Sequence, residues 1–327
     1  MTGPRPSRRP LLVALRALGL GDLLTAFPAL RALADAFPEH RRVLAAPEAL
    51  RALALASGAV DAVVATAPLA PLPAELHGAD VAVNLHGRGP ESHRVLLDAR
   101  PGRFIAFRHP AIPESASSPE WRADEHEVVR WCRLLDAHGI PADPRRLDLV
   151  VDPAAAPAVA RGATLLHPGA ASGARRWPVD RWVEVARAER AVGRPVTITG
   201  GPAEIPDATA IADAAGVPPE AVLAGRTGLA ELAAAVAAAD RVVCGDTGVA
   251  HLATAVGTPS VVLFGPVPPS EWGPPGDRPQ HRALWARRRG DPHASHPDPG
   301  LLAVSVHDVV AALAELPAND GGEGNVC

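Results

Sequence analysis

Short apolar runs alternate with amphipathic stretches along most of the chain. Leu11–Leu15 is a continuous apolar run and predicts a buried strand. The glycine turn Gly19-Leu20-Gly21 follows, and the spacing after it predicts an amphipathic helix from about Asp22 to Ala36. Arg42–Ala46 predicts a second strand and Pro47–Ala56 a helix, with Asp61–Val64 and Val81–Leu85 as further short strands. A helix is expected over Ala123–His138, ending near Gly139 and Pro141. A Pro/Ala stretch from Asp152 to Ala160 then breaks the pattern and reads as an inter-domain linker.

The alternation restarts beyond it. Strands are expected over Thr164–His167, Val196–Thr199, Arg241–Cys244 and Ser260–Phe264. Helices are expected over Val179–Ala191, Glu204–Ala214, Leu229–Ala239, Val249–Val256 and Val306–Leu316. Residues 265–300, rich in Pro, Gly and Arg, read as an extended loop. The ends, residues 1–10 and Pro317–Cys327, read as a disordered basic tail and a loose tail.

Strand–helix alternation in both halves predicts an α/β protein with two parallel sheets, each covered by helices. The 327 residues suit two domains at roughly 150 residues each. The expected division is an N-terminal domain over 1–155 and a C-terminal one over 160–316, with the closing helix a candidate to pack back on the first. In open α/β sheets ligands bind beyond the carboxyl ends of the strands, so the loops after each strand are where chemistry is expected.

Composition narrows the chemistry. The chain has 32 basic residues, all arginine, against 36 acidic ones, for a formal net charge of -4, which argues against a general nucleic-acid binder. Without lysine there is no Walker-A lysine, Schiff base or pyridoxal-phosphate enzyme, and without tyrosine no Tyr acid/base. The three cysteines, Cys132, Cys244 and Cys327, show no paired spacing, which fits a reducing compartment and a cytoplasmic protein. No apolar run reaches the ~18 residues of a membrane span. Arg5, Arg8 and Arg9 before Leu11–Leu15 imitate a signal peptide, but Arg16 interrupts the apolar run and no A-x-A site follows directly.

Several motifs are incomplete. Gly19-x-Gly21 opens a helix as a dinucleotide fingerprint would, but Leu24 stands where the third glycine belongs. His126-Glu127 lacks the second metal-binding histidine, since Arg130 occupies its place, and reads as a surface pair. Ser172 is not in a G-x-S-x-G elbow, and no Asp-x-Asp occurs, so no metal site is expected.

Others carry chemistry. Asp22, at the start of a helix, is either an N-cap or a general base. The stretch His167–Pro178 ends a strand in small residues followed by Arg175, Arg176 and Trp177. It reads as a phosphate-binding loop or as a solvated arginine pair anchored by the tryptophan. In Gly245–His251, a cap on the following helix or an anion site made by Thr247, Gly248, Val249 and His251 both fit, and the clustering of Gly245, Gly248 and His251 favours the anion site. Glu204, after Gly200-Gly201, suits ribose hydroxyls or a first-turn glutamate. Asn84, His86 and Arg88 follow a strand and either line an acceptor pocket or form a polar turn.

In this order, Gly21–Leu30, Gly169–Pro178, Gly200–Glu204, Asp246–His251 and Phe264–Pro266 resemble glycosyltransferase family 9, the ADP-heptose:lipopolysaccharide heptosyltransferases. The likeness runs from about Leu11 to Leu316. It implies a GT-B architecture, two Rossmann-like domains facing across a central cleft. It also implies inverting, metal-independent sugar transfer, with the acceptor on the N-terminal domain and the donor on the C-terminal one. By this resemblance Asp22 is the general base, and Arg175 stands where the family has a diphosphate-binding lysine. Thr247, Gly248, Val249 and His251 contact the diphosphate, and Ser172 and Arg176 of the small-residue loop are expected beside them. Glu204, Arg226, Thr227 and Leu229 contact the nucleoside. Asn84, His86 and Arg88, read from their own position after a strand, are the expected acceptor contacts. No cofactor is expected beyond a nucleotide-sugar co-substrate, with ADP-heptose favoured. The acceptor would be a glycan, glycolipid or secondary metabolite, reached by a protein that could sit peripherally at the inner face of the membrane. A hexosyltransferase using another nucleotide sugar, a non-catalytic nucleotide-sugar binder and a Rossmann dehydrogenase remain the alternatives.

Overall fold

The computed structural model describes residues 9–319. The expected tails therefore lie largely outside the described residues. The chain forms two compact units that divide between Leu147 and Asp148.

The first unit holds strands β1 (Leu11–Leu15), β2 (Arg41–Ala46), β3 (Ala62–Ala65), β4 (Val81–Asn84) and β5 (Arg103–Ile105). Its helices are α1 (Leu20–Thr25), α2 (Phe27–Ala36), α3 (Arg51–Ala56), α4 (Glu91–Asp98) and α5 (Glu127–Ala137). The strands form one parallel sheet in the order β3-β2-β1-β4-β5, with Leu15 opposite both Ala45 and Asn84. β1 is buried throughout, as an apolar strand covered on both faces must be.

The second unit holds β6 (Thr164–His167), β7 (Val196–Ile198), β8 (Arg241–Gly245), β9 (Ser260–Phe264) and β10 (His281–Trp285). Its helices are α6 (Val179–Ala191), α7 (Ile205–Ala215), α8 (Leu229–Ala238), α9 (Gly248–Val256), α10 (Pro269–Trp272), α11 (Pro299–Leu302) and α12 (Val306–Ala314). This sheet is also parallel, in the order β10-β9-β8-β6-β7. Its core includes Trp182, Ile198, Ile211, Val243 and Leu263. The closing helix α12, considered above for a return to the N-terminal domain, contributes Val309 and Leu313 to this core.

Four expectations change. The single helix over Asp22–Ala36 is two, α1 and α2, hinged at Ala26, because Pro28 in the first turn of α2 cannot donate to the preceding turn. The Asp152–Ala160 segment is not a free linker. It forms two 3₁₀ turns, buries Ala160, and its Val159 carbonyl accepts the Thr197 hydroxyl. The chain joins the second unit earlier, where the Leu149 amide donates to Ala255 O at 2.7 Å and Asp148 pairs with Arg278 at 2.7 Å. The 265–300 loop contains β10, an edge strand whose half-polar sequence hides it. Lastly, α4 and β5 were not anticipated. α4 buries Ser92 and His93 on its inner face, and β5 has only three residues.

Candidate active site

In each unit the strand order reverses beside the first strand. The reversal lies between β1 and β4 in the first sheet and between β6 and β8 in the second. At such a point adjacent loops leave in opposite directions and open a crevice at the carboxyl ends. Four of the segments marked by sequence stand at these two places.

In the first unit the β1 loop carries Asp22. Gly19, extended at φ -83°, is the N-cap of α1, and Asp22 is the third helical residue, not the cap itself. Its Oδ2 accepts the Gly19 amide at 3.1 Å. Its Oδ1 lies 3.3 Å from Arg16 Nη2, and its side chain is 29% exposed. The carboxylate is thus fixed on one side and open on the other.

Arg16 was legible only as a charge interrupting an apolar run, yet it is wholly buried. It donates from Nε to Asp22 O at 2.6 Å, from Nη1 to Leu85 O, and from Nη2 to Glu127 Oε1 at 2.8 Å. Glu127 is therefore not part of a surface pair. It is buried, ion-paired to both Arg16 and Arg130, and accepts the Trp131 indole N–H at 2.8 Å. Burial raises its proton affinity, but the two guanidinium groups overcome that and hold the carboxyl below its ordinary range. Neighbouring His126 caps α5 by accepting the Val128 amide at 3.2 Å.

Across the same reversal, Asn84 is fully buried and spends its polar atoms within the fold. Its amide donates to Ser92 Oγ and to His93 Nδ1, each at 2.9 Å, and its carbonyl accepts the His86 amide at 2.9 Å. The expected acceptor contact at Asn84 is thereby corrected: it shapes the turn that presents His86 and Arg88. His86 accepts the Ala17 amide at 3.2 Å, and burial followed by the nearby charge of Arg16 depresses its basicity. Arg88 is exposed.

In the second unit the β6 and β8 loops meet. Arg175 Nη1 donates to Asp246 O at 3.1 Å and stands 3.8 Å from the Asp246 carboxylate. Gly245 permits this approach, since a Cβ there would lie 3.2 Å from Arg175 O. Burial pushes the Asp246 carboxyl up to about 6 against the pull of Arg175.

Thr247 is the N-cap of α9, but its side chain makes no capping bond. Its hydroxyl is buried with no nitrogen or oxygen partner, and only the Cys244 thiol, a weak hydrogen-bonding group, stands beside it. The first intrahelical bond of this turn is the Ala250 amide to Thr247 O at 3.1 Å, so the Gly248 and Val249 amides precede the ladder. His251 sits one turn on, edge-to-face with Trp272 at 5.8 Å. Thr247, Gly248 and Val249, with Arg175 beside them, form a site fit for an anion.

Two other expected diphosphate contacts also brace the loop. Ser172 donates to Ala294 O at 3.1 Å and accepts the Ala174 amide at 3.3 Å. Arg176 Nε donates to Ala170 O at 2.9 Å. Trp177 is the buried anchor, edge-to-face with Trp182 at 5.3 Å.

The β7 loop stands next to β6. Glu204 Oε2 accepts the Gly201 amide at 2.6 Å, and the carboxylate lies over Gly169, where any Cβ would overlap it. Burial lowers the basicity of His167 while the Glu204 charge raises it, and burial wins. The Gly225 amide donates to Gly200 O at 2.8 Å, joining the Glu204 loop to Arg226, Thr227 and Leu229. Arg226 is exposed and donates to Val222 O at 3.3 Å. Among the described residues no group of three His, Cys, Asp or Glu side chains gathers as a metal site. Nor, among them, is any helix long and apolar enough to cross a membrane.

The sequence model of glycosyltransferase family 9 (heptosyltransferase) matches residues 114–297, more than half of the chain. The chain belongs to glycosyltransferase family 9. The match includes the Arg175, Glu204 and Thr247 loops, whereas the Asp22 loop lies outside it. Solved structures agree in fold. A glycosyl transferase family 9 protein from Veillonella parvula DSM 2008 superposes with TM-score 0.76 at 18% identity, covering 95% of this chain and 98% of that one. ADP-heptose lps heptosyltransferase II of E. coli gives TM-score 0.76 at 20% identity, covering 93% and 97%. E. coli heptosyltransferase WaaC with ADP gives 0.69 at 18% identity, covering 93% and 99%. No curated protein sequence matches the chain. This family 9 protein is thus a glycosyltransferase whose two parallel-sheet α/β domains match the GT-B fold.

Proposed function

We propose that this family 9 protein is an inverting glycosyltransferase that moves heptose from ADP-heptose to an acceptor hydroxyl without a metal ion. The observation that carries the reading is the unspent Thr247 hydroxyl at the amino end of α9, beside Arg175. A cap whose side chain does not cap leaves a donor for an external anion. The choice of donor and sugar is supported by solved structures of similar fold, an ADP-heptose lps heptosyltransferase II and a heptosyltransferase WaaC with ADP or with ADP-2-deoxy-2-fluoro heptose.

In this reading the labour divides between the units. In the first, the Asp22 carboxylate takes the proton of the acceptor oxygen as that oxygen attacks the anomeric carbon from the face opposite the diphosphate. In the second, the C–O bond to the diphosphate breaks, and the departing β-phosphate gains charge. Arg175, the Thr247 hydroxyl and the Gly248 and Val249 amides stabilise that charge, each such donor contributing about 3 kcal/mol. They would supply in fixed charge and dipoles what a divalent cation supplies elsewhere. Glu204 receives the ribose, and the Arg226–Leu229 segment the base. The acceptor is a glycan, glycolipid or secondary metabolite carrying a free hydroxyl.

Thermal unfolding with ADP-, GDP-, UDP- and dTDP-sugars, each with and without EDTA, tests the assignment, because a ligand that binds only the folded chain raises its stability. ADP-heptose should give the largest rise, unchanged by chelation. Preference for another nucleotide sugar would make the protein a transferase of that sugar, and no stabilisation by any would overturn the reading.

A further inference from the structure

A buried arginine is unusual enough to need an account, and Arg16 touches more than one part of the first unit. Its guanidinium uses all three nitrogens. Nε binds the main chain of Asp22, Nη1 the main chain of Leu85, and Nη2 is shared by Asp22 Oδ1, Thr25 Oγ1 and Glu127 Oε1. It therefore ties the β1 loop to the end of β4 and both to α5. Its cationic carbon also lies 4.8 Å over the Trp131 ring, whose N–H is bonded to Glu127.

The two carboxylates compete unequally for Nη2: Glu127 is at 2.8 Å and Asp22 at 3.3 Å. Charge-assisted bonds strengthen steeply as they shorten, so the Arg16 charge falls mainly on Glu127. Arg130 balances the second Glu127 oxygen and is itself held by three main-chain carbonyls, of Arg122, Ala123 and Glu125. The network thus sets two arginines against two carboxylates, those of Glu127 and Asp22.

We propose that Glu127 is a positioning residue for Asp22: by drawing the Arg16 guanidinium toward α5, it fixes the Asp22 carboxylate and leaves it open toward an acceptor hydroxyl. Without the Glu127 charge, Arg16 would close onto Asp22 Oδ1 and occupy the lone pairs that the acceptor must reach. The inference deepens the general-base reading of Asp22 and rests on it.

The test uses the full chain labelled with ¹³C at aspartate Cγ, with the Asp22 signal assigned by its loss in Asp22→Asn. At a fixed alkaline pH, Glu127→Gln should move the Asp22 signal as Arg16 rotates onto it. Glu127→Asp, which keeps the charge but shortens the reach, should move it less. Leu134→Val, a buried change on the same helix outside the network, should lower thermal stability and leave the signal in place. If Glu127→Gln does not fold, Glu127→Asp against Leu134→Val carries the same comparison. An Asp22 signal unmoved by the Glu127 variants, or moved equally by Leu134→Val, would overturn the proposal. The readout needs no turnover, so it separates from the base assignment: full transfer by Asp22→Asn would remove the base role while leaving the coupling intact.

Discussion

Arg175 reaches from the β6 loop to the β8 loop and donates to the main-chain oxygen of Asp246 at 3.1 Å. The same nitrogen is 3.8 Å from the Asp246 carboxylate, so the side chain is oriented by the fold before any ligand arrives. A guanidinium can hold this brace with one nitrogen while the rest of its rigid planar fork faces a phosphate, whereas an ammonium would have to serve both partners from one nitrogen.

Arg175→Ala should therefore weaken ADP-heptose binding by about 1.5–3 kcal/mol, the range of a hydrogen bond to a charged group. Arg175→Lys should fall between the variant and the wild type. Titration calorimetry reads both, and equal affinity across the three proteins would remove Arg175 from the donor site.

Asp22→Asn keeps the shape of the carboxylate and removes its basicity. Transfer should drop by roughly 10²–10⁴, the usual contribution of a positioned acid or base, with donor affinity unchanged. Nucleotide release in the presence of acceptor, set beside calorimetry of the donor alone, separates the two effects.

Acid stability should expose Asp246. Its folded-state value of about 6 lies above the ordinary one of 3.8, so the folded chain holds the proton more tightly than the unfolded chain. That contribution is complete below about pH 4 and lost as pH rises through about 6. His281 acts with the opposite sign. Burial first, then the charge of Arg278, pushes it down to about 4, so it costs stability as pH falls from about 6.5 toward 4. Each is worth on the order of 3 kcal/mol. In Asp246→Asn the first slope disappears and the second stays. The Tm of the variant should fall more steeply than that of the wild type between about pH 7 and pH 5. Parallel Tm–pH curves would contradict this.

Two glycines in one loop should respond differently. At Gly169 a Cβ overlaps the end of the Glu204 side chain, which can swing away, whereas at Gly173 it overlaps the main-chain oxygen of Ser295, which cannot. Gly173→Ala should cost about 1–3 kcal/mol of stability as overpacking does. Gly169→Ala should leave Tm nearly unchanged while weakening donor binding through the displaced Glu204. Chemical denaturation and calorimetry on the two variants check the contrast.

The fold was largely legible because its strands are apolar runs with no competing period. Leu11–Leu15, Thr164–His167 and Ser260–Phe264 fall within the expected spans or match them. Elements built on polar residues escaped. α4 buries His93, whose Nε2 donates to Phe107 O at 2.7 Å, and no apolar period marks such a residue. β10 at the sheet edge reads as loop for the same reason.

The candidate site was legible where glycine, arginine and a helix start coincide, as at Arg175 and Thr247. It was not legible where charge is buried. Glu127 looked like a surface residue because its partner Arg16 lies 111 positions away, and only the fold brings them together. Asn84 looked available because a polar residue ends a strand, but its neighbours Ser92 and His93 consume it.

In the proposed mechanism the second unit grips the leaving diphosphate with Arg175 and the amino end of α9. A crystal structure of the protein with ADP tests it most directly. The β-phosphate should lie within hydrogen-bonding distance of the Thr247 hydroxyl, the Gly248 and Val249 amides and the Arg175 guanidinium, with the ribose at Glu204. A diphosphate bound instead at the Gly19–Gly21 turn of the first unit, with Thr247 left unengaged, would contradict it.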